Sequence, residues 1–95
     1  MNRTIYSGPD SGLYDEDTFF TFAKKKLKSE LVRGVMGYSQ VWHVPEYGAT
    51  IEYMKSRSLG ATFVRVFGRE EDIGQLVKLI SLQCVEYAEV GGKAR

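Results

Sequence analysis

A chain of 95 residues, 43% apolar and 26% charged, has the length and composition of one small globular domain over 1–95, which excludes an intrinsically disordered protein. Its 13 Lys and Arg against 12 Asp and Glu give a net charge of +1, which disfavours binding driven by strong attraction to a polyanion. Cys84 is the only cysteine, so a disulfide framework is excluded. We expect a cytoplasmic protein, because a lone thiol suits a reducing compartment and no apolar run suits a signal peptide or a membrane span.

The first third of the chain predicts a strand followed by a long helix. Ile5 and Tyr6 lie in a short strand-like run, and turn residues at 7–12 follow it. A helix is predicted over about 15–33, because acidic residues at its start can cap it and apolar residues recur at helical spacing. That apolar stripe consists of Phe20, Ala23, Leu27 and Leu31. Gly34 is the expected stop signal.

A strand is predicted over 39–44, and the segment after it, 46–58, has two interpretations. Pro45 and Gly48 suit a tight turn, after which apolar residues alternate as in a hairpin strand. Pro45 also suits the first turn of a helix that Gly60 would end. In that second interpretation the stretch 44–66 resembles the strand–helix–strand unit of small phycobilisome linker domains. The shared residues are Val44, Pro45, Glu52, Arg57, Leu59, Gly60 and Val64.

The last third predicts a strand over 61–67, a helix over about 70–82 and a closing strand over 84–90, with 91–95 as a frayed tail. The apolar stripe of this helix consists of Ile73, Leu76, Val77 and Ile80. In the strand over 61–67, one face would carry Thr62, Val64 and Val66, and the other Phe63, Arg65 and Phe67. We therefore expect an α+β fold, a two-layer sandwich of one sheet with helices on one face. Its ferredoxin-like order would be β-α-β-β-β-α-β, or would include a third helix at about 46–58.

Catalytic and metal-binding patterns are scarce, so an enzyme, a metal and a cofactor are not expected. His43 is the only histidine, and the loop at 7–12 matches no phosphate-binding signature. The acidic runs 15–17 and 70–72 lie at predicted helix starts, where the helix dipole accounts for them. A small enzyme that uses Cys84 or His43 remains a remote alternative, because the pair could act only if their strands were neighbours.

The leading hypothesis is a non-enzymatic binding module, acting as an inhibitor, adaptor or assembly subunit through contact with a protein of unknown identity. The chain has many Tyr, Trp, Met and Arg residues, the types that the cores of protein interfaces favour. The candidate anchors are Trp42, Tyr47, Tyr53, Met54 and Arg57. An exposed edge of the sheet could also pair with a partner or with a second copy of the chain.

The alternative hypothesis is a module that binds single-stranded nucleic acid, in particular RNA, on an aromatic and basic sheet face. Its candidate residues are Lys24, Lys25, Lys28, Arg57, Phe63, Arg65 and Phe67. The stretch 59–66 resembles one signature of the RNA-recognition motif through Gly60, Phe63 and Val64, and 5–8 resembles the other. Ala61 and Val66 stand where that family has stacking aromatic residues.

Overall fold

The computed structural model describes residues 2–7, 15–35, 39–56, 58, 60–83 and 87–90, which form an α+β structure compatible with a two-layer sandwich. The strands are β1 (Asn2–Ser7), β2 (Glu30–Val35), β3 (Ser39–Val44), β4 (Ala49–Ser56), β5 (Ala61–Phe67) and β6 (Tyr87–Val90). The helices are α1 (Glu16–Thr21), which continues as a π-helical turn over Phe22–Lys26, and α2 (Glu70–Ser81). A short 3₁₀ turn, Pro45–Tyr47, connects β3 to β4.

The described strands form one sheet in the order β2-β3-β4-β5-β1-β6, and every neighbouring pair is antiparallel. The ferredoxin-like order is not confirmed, because a further strand, β2, lies between α1 and β3 and adds to the predicted set of strands. Here β2, β3, β4 and β5 follow one another as a meander, and β1 lies between β5 and β6. The difference arises because 30–35 forms a strand that the sequence did not predict.

The predicted helix over 15–33 is right at its start and wrong beyond Leu27. Asp15 is the N-cap, and its carboxylate accepts a 3.0 Å hydrogen bond from the Thr18 backbone N–H. At the other end, the Leu27 N–H donates to the Phe22 carbonyl, 3.1 Å away, in a widened π-type turn. Lys28 then adopts a left-handed conformation with φ of 51°, which ends the helix and sends the chain into β2.

The segment 46–58 contains a strand, so the hairpin interpretation is confirmed and the helical one is wrong. Gly48 has φ of 56° at the end of the 3₁₀ turn, a conformation that glycine adopts without steric cost. β4 then pairs antiparallel with β3, and its side chains alternate between buried and half-buried from Ala49 to Met54. This alternation is the period-2 pattern of a strand with one covered face.

The core lies between one face of the sheet and the two helices. α1 and the π turn contribute Phe19, Phe22 and Ala23, and α2 contributes the predicted stripe of Ile73, Leu76, Val77 and Ile80. The sheet contributes Ile5, Trp42, Val44, Ala49, Ile51, Tyr53, Val64 and Val66. Thr62, Val64 and Val66 are buried and Phe63, Arg65 and Phe67 lie on the other face, as the sequence predicts.

A buried polar chain connects β3 to α1. The Trp42 indole N–H donates to the Gln40 side-chain oxygen at 2.9 Å, and the Gln40 amide nitrogen donates to the Glu16 carbonyl at 3.2 Å. Both side chains face the core, and Gln40 is only 7% exposed. The two bonds satisfy the indole N–H inside the core and orient α1 on the sheet.

Candidate interaction surface

The face of the sheet opposite the core carries no helix among the described residues, and we call it the open face. The pairing register places the following residues on it: Thr4, Tyr6, Glu30, Arg33, Val41, His43, Thr50, Glu52, Met54, Phe63, Arg65 and Phe67. Because side chains alternate along a strand, these residues point away from the core, and a β-bulge in β2 brings Glu30 and Arg33 to the same side. The open face is therefore the broadest candidate for a contact surface in the described part of the chain.

An apolar row crosses the middle of the open face. It consists of Tyr6 on β1, Phe63 on β5 and Met54 on β4, which lie directly opposite one another in the pairing register. The Tyr6 and Phe63 rings contact edge to face, with centroids 5.3 Å apart and an interplanar angle of 64°. Tyr6 is 36% exposed, and the other two side chains are half-buried. Part of each side chain is thus available to a partner.

An ion pair lies beside the apolar row. The Arg65 guanidinium is 3.4 Å from the Glu52 carboxylate, which occupies the opposite position on β4. The guanidinium carbon of Arg65 is also 5.9 Å from the centroid of the Phe67 ring. The Arg65 charge is therefore balanced within the chain before any partner arrives.

The predicted protein-binding anchors lie in different parts of the molecule. Trp42 is 1% exposed and Tyr53 is fully buried, where its ring stacks on Phe19 with centroids 4.5 Å apart. Both side chains belong to the core, so a partner could reach them only if the core opened. Tyr47 is half-buried against the core beside α2, and Met54 lies in the apolar row. Arg57 is outside the described residues.

The predicted nucleic-acid residues lie on two opposite sides of the molecule. Phe63, Arg65 and Phe67 belong to the open face, whereas the exposed Lys24 and Lys25 extend from the helical layer. The Lys24 ammonium is 5.8 Å from the centroid of the Phe20 ring on the same helix. The sheet separates these lysines from the aromatic residues, so they cannot line one continuous groove. Exposed Lys28 follows the π turn in the same layer, and Arg57 is outside the described residues.

Of the two candidates for a catalytic or metal-binding role, only His43 lies in the described part of the chain. His43 is half-buried on the open face, opposite Glu30 and Thr50 in the register. Cys84 lies outside the described residues, and so do 8–12 of the glycine-containing loop. Within the described ranges, no three or more His, Cys, Asp or Glu side chains cluster as metal ligands do. Neither described helix has the length and apolar content of a membrane span.

Two features of the surface were not among the predicted site residues. Tyr6 belongs to the apolar row, and β2 exposes three aliphatic side chains at the end of the sheet, namely Leu31, Val32 and Val35. The β-branched valines are the only signal in the sequence for a strand here. That signal is masked because Leu27 and Leu31 are four residues apart, as on one face of a helix.

Comparison with known proteins gave no relative: no protein family, no curated protein and no solved structure matched the chain.

Proposed function

We propose that this chain is a non-enzymatic binding module that contacts a protein partner through the open face of its sheet. The apolar row is the observation that carries the proposal, because it crosses three adjacent strands on a side that no described helix covers. Continuous apolar surface is costly to leave in water and commonly marks an interaction site. Aromatic, Met and Arg side chains, which this face combines, are enriched at protein interfaces.

The charge of the open face favours a protein over a nucleic acid. Arg33 and Arg65 are balanced by Glu30 and Glu52, and one of the two arginines already pairs with a glutamate. Binding of a single strand combines stacking on aromatic rings with a positively charged groove along the backbone. The open face offers the Tyr6, Phe63 and Phe67 rings, but its described residues carry no excess of positive charge. The partner surface that fits it is an apolar segment flanked by polar groups of both signs.

Site-specific photo-crosslinking in the source cells tests this proposal directly. A photoreactive amino acid replaces Phe63 in one variant and Leu79 in a control, because Leu79 is 38% exposed and lies on α2, away from the open face. We expect a protein crosslink from position 63 that is absent from position 79. The mass of the product also separates a different protein from a second copy of the chain.

Two outcomes would contradict the proposal. A crosslink from position 63 to RNA or DNA, together with binding of mixed single-stranded oligonucleotides that weakens steeply with salt, would support the nucleic-acid alternative instead. Absence of any crosslink at position 63, or the same product from both positions, would remove the open face as the contact surface.

A further inference from the structure

The edge strand β2 exposes apolar side chains on a strand with one described neighbour. Leu31, Val32 and Val35 are 46%, 65% and 54% exposed, and β3 is the only described strand paired with β2. The outer backbone groups of such a strand are a template for pairing with another chain. β2 lies apart from the apolar row, so an interaction at this edge leaves the row free for the contact proposed for the open face.

The helical layer does not cover β2. Leu31 lies opposite the buried Trp42 on the core side of the sheet, yet no β2 residue belongs to the core, and all six of them are exposed. The chain leaves the helical layer at the π turn and enters β2 at Glu30. Both faces of β2 are therefore accessible to a partner that approaches along the edge.

A β-bulge brings two opposite charges to the same face of this edge. Glu30 pairs with His43 and Arg33 pairs with Val41, two positions apart on β3, while Val32 is the extra residue. Without the bulge, residues three apart would point to opposite faces. Because of the bulge, the edge carries the Glu30 anion and the Arg33 cation on the open face. Leu31 and Val32 lie between these two residues along the strand.

We propose that two copies of this chain associate through their β2 edges, antiparallel and related by a two-fold axis. In the register that places Leu31 of each copy opposite Val32 of the other, Glu30 lies opposite Arg33 of the second copy. The two-fold axis makes both contacts occur twice. An antiparallel register centred on Arg33 would instead bring two guanidinium groups together, which is unfavourable across strands.

The composition of β2 favours a second copy of this chain as its partner over an unrelated strand. Edges that are protected from pairing carry Pro, Lys or a bulge; β2 has a bulge but neither Pro nor Lys. Its bulge interrupts the outer row of backbone groups, so side chains contribute much of the contact. Those side chains are self-complementary in charge and apolar in the centre, which a second copy matches.

Sedimentation analysis of the purified chain, from about 1 µM to about 1 mM, tests the association. We expect a dimer whose population rises with concentration. In Val32→Lys, a charge replaces the central apolar group, and the dissociation constant should rise at least about a hundredfold. Leu82→Lys is the matched control, because Leu82 is 78% exposed beyond the end of α2, and it should leave association unchanged.

A charge exchange tests the register and does not depend on any single variant. Glu30→Arg alone and Arg33→Glu alone each place like charges opposite one another, so each should weaken self-association about tenfold or more. An equal mixture of these two variants restores both ion pairs and should form a mixed dimer. The proposal is overturned if the unmodified chain stays monomeric to about 1 mM, if Val32→Lys associates like the unmodified chain, or if the mixture does not restore the dimer.

Discussion

The central strand β4 and the edge strand β2 belong to the same sheet but differ in how their side chains are buried. Along β4, buried Ala49, Ile51 and Tyr53 alternate with half-buried residues, whereas every residue of β2 is exposed. The described helices cover β4 but do not cover β2. Alternation of burial is thus a property of a strand that has a covered face, and an edge strand beyond the helical layer does not show it.

The largest expected difference between these two regions is in stability. Ile51→Ala removes a fully buried side chain from β4 and should lower the free energy of unfolding by about 2–5 kcal/mol. Val32→Ala in β2 should change it by less than about 0.5 kcal/mol, because no packed contact is lost. Urea denaturation at low protein concentration measures both. Similar losses of unfolding free energy in the two variants would mean that Val32 makes packed contacts as Ile51 does.

The next expected effect concerns β3, which lies between the two strands. Gln40→Ala leaves the Trp42 indole N–H buried without its acceptor and should lower the free energy of unfolding by about 1–3 kcal/mol. Ser39→Ala, on the other face of β3, is the matched control and should have little effect. The fluorescence of Trp42 should also change in the first variant and not in the control. An unchanged stability in Gln40→Ala would show that the polar chain does not hold α1 on the sheet.

A smaller effect is expected where the helical layer ends and β2 begins. Lys28 has a left-handed backbone that glycine adopts more easily, so Lys28→Gly should raise the free energy of unfolding by about 0.5–1 kcal/mol. Lys26→Gly, inside the π turn, should lower it by a similar amount, because glycine weakens a helical backbone. Thermal unfolding of both variants measures these two changes in stability. Destabilisation by both would mean that residue 28 is not held in the left-handed conformation.

The smallest expected effect concerns the start of α1 and depends on pH. The backbone N–H of Thr18, followed by its hydroxyl, lowers the pKa of Asp15 by hydrogen bonding to the carboxylate. A lowered folded-state pKa means that the ionised group stabilises the fold above the pKa of the unfolded chain. That contribution is lost as the pH falls through the lowered folded-state value.

Asp15→Asn tests this sign, because asparagine also caps a helix but carries no charge. The unmodified chain should be slightly more stable than the variant near neutral pH, and the difference should disappear in acid. Denaturation at several pH values measures it. A difference that grows in acid would contradict the lowered pKa.

The sequence predicts β5 and α2 because each has one covered face, which imposes a regular period on the residues. The period-2 pattern of 61–67 and the stripe from Ile73 to Ile80 are both found as predicted. The end of α1 has no such signature, since Lys28 ends it where glycine would be the usual signal. The spacing of Leu27 and Leu31 continues past that point, so the sequence predicts helix over 30–33, the first part of β2.

The candidate surface was only partly predictable for a related reason. A strand pattern shows which residues share a face, but it does not show which face the helices cover. Met54 and Phe63 therefore lie on the open face, whereas Trp42 and Tyr53, of equally suitable residue type, lie in the core. Knowledge of how the helices pack is needed to separate the two sets.

The position of β1 in the sheet has a consequence for biosynthesis. Of the described strands, β1 leaves the ribosome first, but it pairs with β5 and β6, the two that are synthesised last. The meander from β2 to β5 can assemble from local contacts during translation, while β1 must wait for its neighbours. Such distant pairing slows folding, so we expect the nascent chain to close its sheet only after synthesis of β5 and β6 is complete.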